Sequence, residues 1–207
     1  MRRVVIVGGG FSGAAAAIHL SRSAEAPLEI LVVEPRDALG AGIAHSSTEP
    51  DHRLNAPDNF HSPYPEDEAH FARWLRESGA LAADPEAMAA SGLVFARRRA
   101  FGRYMDGEAD RHARGNASAS RIEHVRKAAL RMGYGQSAIE VELDDGSRLG
   151  ADACILALGW NPVGTPRELL PIGGHPGWVG DPWATRRLDA IGSEAPVLLV
   201  GSGLTAS

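Results

Sequence analysis

The strongest constraint on this chain is its opening run, Val4-Val5-Ile6-Val7-Gly8-Gly9-Gly10-Phe11-Ser12-Gly13. A continuous apolar stretch of this length reads as a parallel strand buried on both faces. Gly8, Gly10 and Gly13 then fall in the G-x-G-x-x-G spacing. In that pattern the first glycine permits a tight turn, the second lets the backbone approach a pyrophosphate, and the third lets the following helix pack on the strand. The helix is expected from about Ser12 to Leu20, with Ala14 to Ala17 keeping it thin against a sheet. Its N-terminus, including Phe11 and Ser12, offers free N–H groups and partial positive charge to phosphates. A second strand, Leu28 to Val33, ends at Glu34, about 20 residues beyond Gly13, where a carboxylate hydrogen-bonds a ribose diol. A carboxylate there repels a 2′-phosphate, so the site favours FAD or NAD over NADP. A glycine-rich turn in some other α/β protein is the alternative. Strand, glycines, helix, strand and acid in that order argue against it.

A second signature of the same kind stands about 190 residues later, at Val197-Leu198-Leu199-Val200-Gly201-Ser202-Gly203. Two nucleotide sites in one protein point to an enzyme passing electrons from a nicotinamide to a flavin. The second signature runs into the last residue, Ser207, so only the start of its domain is expected here.

The bulk numbers narrow the remaining classes. The formal net charge is −5 over 207 residues, which argues against a nucleic-acid surface. Nearly all the basic residues are arginine, with Lys127 the only lysine, and most are read as solvated. One cysteine, Cys154, leaves no internal disulfide and no CxxC pair. That fits a reducing compartment, so a cytoplasmic location is expected. Cys154 itself is read as a small buried side chain. Met1-Arg2-Arg3 before apolar sequence resembles a secretory signal, but three consecutive glycines break it. No run of 18 or more apolar residues gives a membrane span. His45, His52, His61 and His70 are spaced too irregularly for a zinc module and are read as surface or loop residues, so no metal is expected.

Between the two signatures, Gly40 and Gly42 follow Glu34-Pro35-Arg36, either as turn residues or as a loop lying against the cofactor. Pro35, Arg36 and Val125 are counted with the candidate cofactor contacts. His52 to Phe60 is polar and proline-marked, hence a loop. Glu66 to Ser78 reads as an amphipathic helix with Pro65 and three acids at its start, Phe71, Trp74 and Leu75 on one face, and Gly79 at its end. A further helix is expected from about Arg98 to Arg111, beside a basic Arg97-Arg98-Arg99 cluster read as solvated. The pattern then turns to β. Ile122 to Met132 is strand-like, Ala138 to Leu143 alternates, and Asp144-Asp145-Gly146 is a hairpin signal. An apolar strand from Ala151 to Leu158 closes on Gly159, where the absent side chain lets backbone pass near a cofactor. Residues 161–196, rich in Gly, Pro and Trp, read as a connector with a short helix near Trp183 to Ile191.

Together these segments resemble the two-dinucleotide-binding flavoproteins, and more narrowly the bacterial group that includes FAD-dependent urate hydroxylase and aspartate N-monooxygenase. The resemblance rests on Val4–Gly13, Gly40-Ala41-Gly42-Ile43-Ala44-His45, Leu54-Asn55-Ala56-Pro57, Phe71-Ala72-Arg73-Trp74-Leu75, Arg99-Ala100-Phe101-Gly102-Arg103-Tyr104, Ile155–Gly159 and Val197–Ala206. It implies FAD at the first site with Glu34 on the adenosine ribose. It places Asn55 and its neighbours near the flavin ring, and has Gly201 and Gly203 begin an NAD(P)H site. Ala157-Leu158-Gly159 departs from the family's Ala-Thr-Gly by lacking a hydroxyl. The implied fold is α/β: a Rossmann-like FAD-binding domain of parallel sheet plus β-meander over residues 1–160, lacking its C-terminal return. The connector 161–196 follows, and then a nicotinamide domain only begun at 197–207. The implied activity is NAD(P)H-dependent reduction of FAD followed by hydroxylation of a small molecule with oxygen. No catalytic acid or base is assigned. Reduction of another acceptor, a non-catalytic flavin-binding sensor, and a plain NAD dehydrogenase remain the alternatives. The chain taken alone is expected to bind nicotinamide poorly and FAD weakly, and need not be active.

Overall fold

The computed structural model describes residues 1–135, 138–159, 165–181 and 185–201. It divides into two units, Met1–Gly159 and Trp160–Ser207. In the first, the apolar opening run is β1 (Arg2–Val7), followed by helix α1 (Phe11–Ser23) and β2 (Leu28–Val33). A long excursion then carries α2 (His70–Glu77) and α3 (Arg98–Arg114) before the chain returns to the sheet as β3 (Arg121–Val125). Three antiparallel strands follow, β4 (Ala129–Tyr134), β5 (Ile139–Leu143) and β6 (Arg148–Ala151). The last strand of the unit is β7 (Ala153–Leu156).

The parallel sheet has the order β3-β2-β1-β7, and β4-β5-β6 form a separate antiparallel sheet. From β1 the chain moves one way to β2 and β3, whereas β7 pairs on the other side of β1. The strand order therefore reverses at β1, and ligands of open α/β sheets bind outside the carboxyl ends of the strands at such a point. Alternation along the strands sorts the core into two layers. Val4, Ile6, Ile30 and Val32 pack with α1, α2 and α3 side chains, among them Ile18, Phe71, Leu75, Phe101 and Tyr104. Val5, Val7, Leu31 and Val33 point the other way, onto Val141, Leu143 and Ala151 of the antiparallel sheet. The Asp144-Asp145-Gly146 hairpin lies between β5 and β6 as expected, with Gly146 at φ +81°.

Several expected elements are cut differently. Ile122 to Met132 is two strands, because the Lys127 N–H turns back to the Val125 carbonyl at 2.8 Å and ends β3. Ala151 to Leu158 is also divided. Asp152 receives the Arg3 N–H on its carboxylate at 2.7 Å and returns its own N–H to the Arg3 carbonyl at 2.9 Å, so β6 stops and β7 begins across it. Helix α2 starts later than the acids at 66–68 suggest. Glu66 instead pairs with Arg22, and Asp67 with Arg73, while the His70 N–H closes a turn onto the Asp67 carbonyl. Helix α1, by contrast, runs a turn past Leu20. Cys154 is partly buried against the second core layer, and burial pushes its thiol pKa up, as for an inert packing residue.

The second unit carries 3₁₀ turns over Arg167–Ile172 and a short helix α4 (Thr185–Leu188), within the segment expected to be helical near Trp183 to Ile191. The expected strand at Val197 to Val200 does not form. No ladder partner holds it among the described residues, and its four apolar side chains are exposed. Among the described residues, no helix is long and apolar enough to cross a membrane.

Candidate functional site

The site forms where β1 gives way to α1. Gly8 takes φ +99°, and a Cβ there would stand 2.2 Å from the Ala157 carbonyl oxygen, so β7 presses its carboxyl end on the turn. A Cβ on Gly13 would fall 1.9 Å from the Gly8 carbonyl oxygen, which is the close helix–strand packing expected of the third glycine. Gly10 stands at the N-cap of α1. Among the described residues no side chain caps that helix, and its first turn holds no acid. Phe11, the first helical residue, is partly exposed.

Glu34 follows β2 and is almost fully buried. Its Oε2 accepts the Gly9 N–H at 2.8 Å, and Oε1 accepts the Arg36 N–H at 3.1 Å. The Arg36 guanidinium lies 3.4 Å from Oε1. The carboxylate is thus fixed against the glycine turn, with lone pairs still open to a diol. Val125 ends β3 beside it, its carbonyl accepting the Glu34 N–H at 3.0 Å. The loop after Pro35 crosses the same turn. The Gly40 N–H bonds the Gly9 carbonyl at 2.7 Å, and Gly42 lies so close that a Cβ would be 3.1 Å from the Gly10 Cα. Of the two readings of Gly40 and Gly42, the geometry favours the loop that borders the nucleotide turn.

The structure therefore brings together Gly8, Gly10, Phe11, Ser12, Gly13, Glu34, Pro35, Arg36, Gly40, Gly42, Val125 and Ala157 around one strand end. Leu158 and Gly159 continue from β7 with exposed side chain and backbone, Gly159 at φ +72°. Asn55 is exposed. The carbonyl of its neighbour Ala56 contacts His61 Nε2 at 3.0 Å within the same loop. Gly201 belongs to the second unit, and Gly203 lies outside the described residues.

Two features were not foreseen from the residues. Gly9, a middle position of the motif, supplies both the donor to Glu34 and the acceptor for Gly40. The histidines are expected at the surface or in loops; His45, His52 and His61 do lie in loops, but partly buried and in contact with neighbouring groups. His45 packs edge-on to Phe101 at 4.8 Å, and Phe101 also meets Phe11 at 5.7 Å and His61 at 5.5 Å. Burial, helped by the neighbouring Arg98 and His61, pushes the His45 pKa down to about 4. Its Nδ1 is buried with no hydrogen-bond partner among the described residues. His70 Nδ1 contacts the Tyr104 hydroxyl at 2.7 Å. The basic cluster is likewise less solvated than expected. Arg98 Nε donates to the Arg53 carbonyl at 2.9 Å and Arg97 lies 3.4 Å from Asp84. A hollow of about 560 Å³ between the C-terminal parts of α1 and α3 is lined by His19, Arg22, Arg111 and His112, but its arginines are already paired with Glu66 and Glu108. Among the described residues, no cluster of His, Cys, Asp and Glu is arranged to hold a metal ion.

A glycine turn at a strand-order reversal, an uncapped helix N-terminus and a buried acid on the next strand define a dinucleotide-binding α/β protein. A family model described as FAD-NAD(P)-binding matches residues 5–161. The chain belongs to that family, whose cofactors are FAD and NAD(P). No curated protein sequence matches it significantly. Among solved structures it is similar to the flavin-containing monooxygenase from Stenotrophomonas maltophilia, with 22% identity and a TM-score of 0.55, over 81% of this chain and 42% of that one. It is also similar to cyclohexanone monooxygenase in its closed form, with 14% identity and a TM-score of 0.54, over 81% of this chain and 28% of that one. At these identities the likeness is one of fold. The chain spans less than half the length of either.

Proposed function

We propose that this chain contributes the FAD-binding part of an NAD(P)H-using flavin monooxygenase acting on a small molecule. The observation that carries the reading is the joint geometry of the turn. The uncapped N-terminus of α1 and the Glu34 carboxylate lie at the same strand end, and Gly9 bonds one to the other at 2.8 Å. The residues present fit a dinucleotide. Phe11, Ser12 and Gly13 offer backbone N–H groups to a pyrophosphate, Glu34 accepts a ribose diol, and Gly10 and Gly42 leave backbone where a side chain would block approach. When bound, FAD supplies hydride acceptance from NAD(P)H and the activation of oxygen. The chain's own residues orient it and keep water from its inner edge. Phe11, at the start of α1, packs on Phe101, which also holds the His45 ring.

The full-length protein should be yellow as purified and should lose its flavin absorbance when NADPH or NADH is added without oxygen. Labelled oxygen should then appear in the product of the substrate it hydroxylates. Flavin reduction with no label in any product would replace the monooxygenase reading with an oxidoreductase of another acceptor. A protein that takes up FAD but never consumes nicotinamide would be a flavin-binding sensor.

A further inference from the structure

We propose that Asp106 is a positioning residue for the nucleotide site. From α3 it holds the Leu39–Gly40 loop, and through that loop it sets the glycine turn against which Glu34 meets the ribose. The inference rests on the reading of the glycine turn as a dinucleotide site.

Three hydrogen bonds run in series from α3 to the acid. Asp106 Oδ1 accepts the Leu39 N–H at 3.1 Å. The next residue, Gly40, donates its N–H to the Gly9 carbonyl at 2.7 Å. Gly9 in turn donates its own N–H to Glu34 Oε2 at 2.8 Å. The Leu39 side chain, which is buried, closes the same path by packing. A Cβ added to Gly9 would stand 2.6 Å from Leu39 Cδ2 and 2.6 Å from the Glu34 Cβ, so the Gly9 backbone is pinched between those two side chains.

The loop lies directly on α3 where Asp106 begins to act. Gly40 takes φ +92°, and a Cβ there would be 2.5 Å from the Met105 Cβ and 3.1 Å from the Asp106 nitrogen. A buried backbone N–H needs an acceptor, and an ionised carboxylate supplies a charge-assisted one. Removing it frees the loop one residue before the bond that Gly40 makes to the glycine turn. The ribose contact is sensitive to this, because a group that binds a ligand works only as closely as its supporting shell holds it.

The test titrates ADP and 2′-deoxy-ADP calorimetrically into the full protein stripped of flavin. The ratio of the two affinities reports the bond between Glu34 and the ribose 2′-hydroxyl. A partly unfolded sample weakens both ligands alike and leaves the ratio unchanged. Wild type should prefer ADP by about tenfold, and Asp106→Ala should narrow that to about threefold or less. Asp106→Asn keeps an acceptor for the Leu39 N–H and should restore the preference. In a Glu34→Ala background, where the preference is lost, adding Asp106→Ala should change the ratio no further. Glu108→Ala weakens α3 through its bonds with Tyr64 and Arg111 and should keep the wild-type ratio. An unchanged ratio in Asp106→Ala would overturn the proposal. So would loss of the preference in Asp106→Asn, an outcome that needs no folded alanine variant. Loss of the preference in Glu108→Ala would overturn it too, since the ratio would then follow the stability of α3. If wild type does not bind ADP, or binds both ligands alike, the reading of the glycine turn as an adenosine site itself falls, and the inference with it.

Discussion

Glu34 is the residue on which the nucleotide reading turns most sharply. Its side chain is buried, and among the described residues its carboxylate meets the backbone N–H groups of Gly9 and Arg36 and the Arg36 guanidinium at 3.4 Å. Glu34→Ala removes both the acceptor for the Gly9 N–H and the group offered to the ribose. It should weaken FAD by at least about tenfold and lower stability by about 1–2 kcal/mol, measured by flavin titration and urea unfolding. Gly13→Ala sets a methyl group 1.9 Å from the Gly8 carbonyl oxygen. It should cost about 3 kcal/mol or more, because neither backbone can give way. The histidines predict a pH dependence. Burial lowers the pKa of His45, His61 and His112, and His45 drops from 6.5 to about 4. Between those two values the unfolded chain binds protons that the folded chain does not, so stability falls as pH drops through that window. Thermal midpoints at steps from pH 7 to pH 4 should show this decline, and His45→Leu should flatten part of it. These residue-scale facts were half legible beforehand. The glycine spacing and Glu34 follow from a strand-turn-helix pattern in contiguous sequence. The burial of His45 depends on Phe101 and Gly102, distant in sequence, which no local pattern reveals.

At the scale of elements, the excursion between β2 and β3 is held by a buried polar network. The Tyr64 hydroxyl donates to Glu108, which also accepts from Arg111 at 2.6 Å, and His112 Nε2 lies 3.2 Å from the same hydroxyl. Arg22 of α1 stands over the Tyr64 ring at 4.8 Å, so α1, α3 and the loop before α2 meet at one point. Burial raises the Glu108 pKa, but the hydrogen bonds from Arg111 and Tyr64 outweigh it and leave it below the ordinary value. Its contribution is therefore present at neutral pH and is lost as pH falls through the carboxylate range. Glu108→Ala removes the acceptor of the Tyr64 O–H and of Arg111 Nε, leaving the hydroxyl with Arg111 Nη2 and His112, and should destabilise by about 1–2 kcal/mol while leaving flavin affinity within about twofold. Chemical denaturation and flavin titration of the same variant separate the two effects. Elements with local signals were readable. The β5–β6 hairpin follows from Asp144-Asp145-Gly146, and α3 from its periodic aromatics. Boundaries set by tertiary partners were not. Asp152 reads as part of an apolar strand, yet it separates two sheets by bonding Arg3, far away in sequence. The acids at 66–68 read as a helix start, but Arg22 and Arg73 claim two of them.

At the scale of the molecule, the first unit layers helices, parallel sheet and antiparallel sheet, with the glycine turn at the strand-order reversal. That arrangement was legible because a strand-helix-strand opening followed later by a β-meander and a returning strand implies a parallel sheet with an antiparallel one beside it. The second signature was less so. Val197 to Val200 has the composition of a buried strand, but composition becomes a strand only where neighbouring strands offer a ladder, and none does so among the described residues. The first glycine motif is a built turn bonded to Glu34, whereas of the second only Gly201 falls among the described residues. It follows that the chain should take FAD in preference to nicotinamide. The most direct test of the central claim is calorimetric titration of the flavin-free protein with FAD, NADH and NADPH in turn. The account predicts one FAD per chain, with binding at least about tenfold tighter than either nicotinamide. Binding of NADH with no uptake of FAD would contradict it and make the glycine turn the site of a plain dehydrogenase.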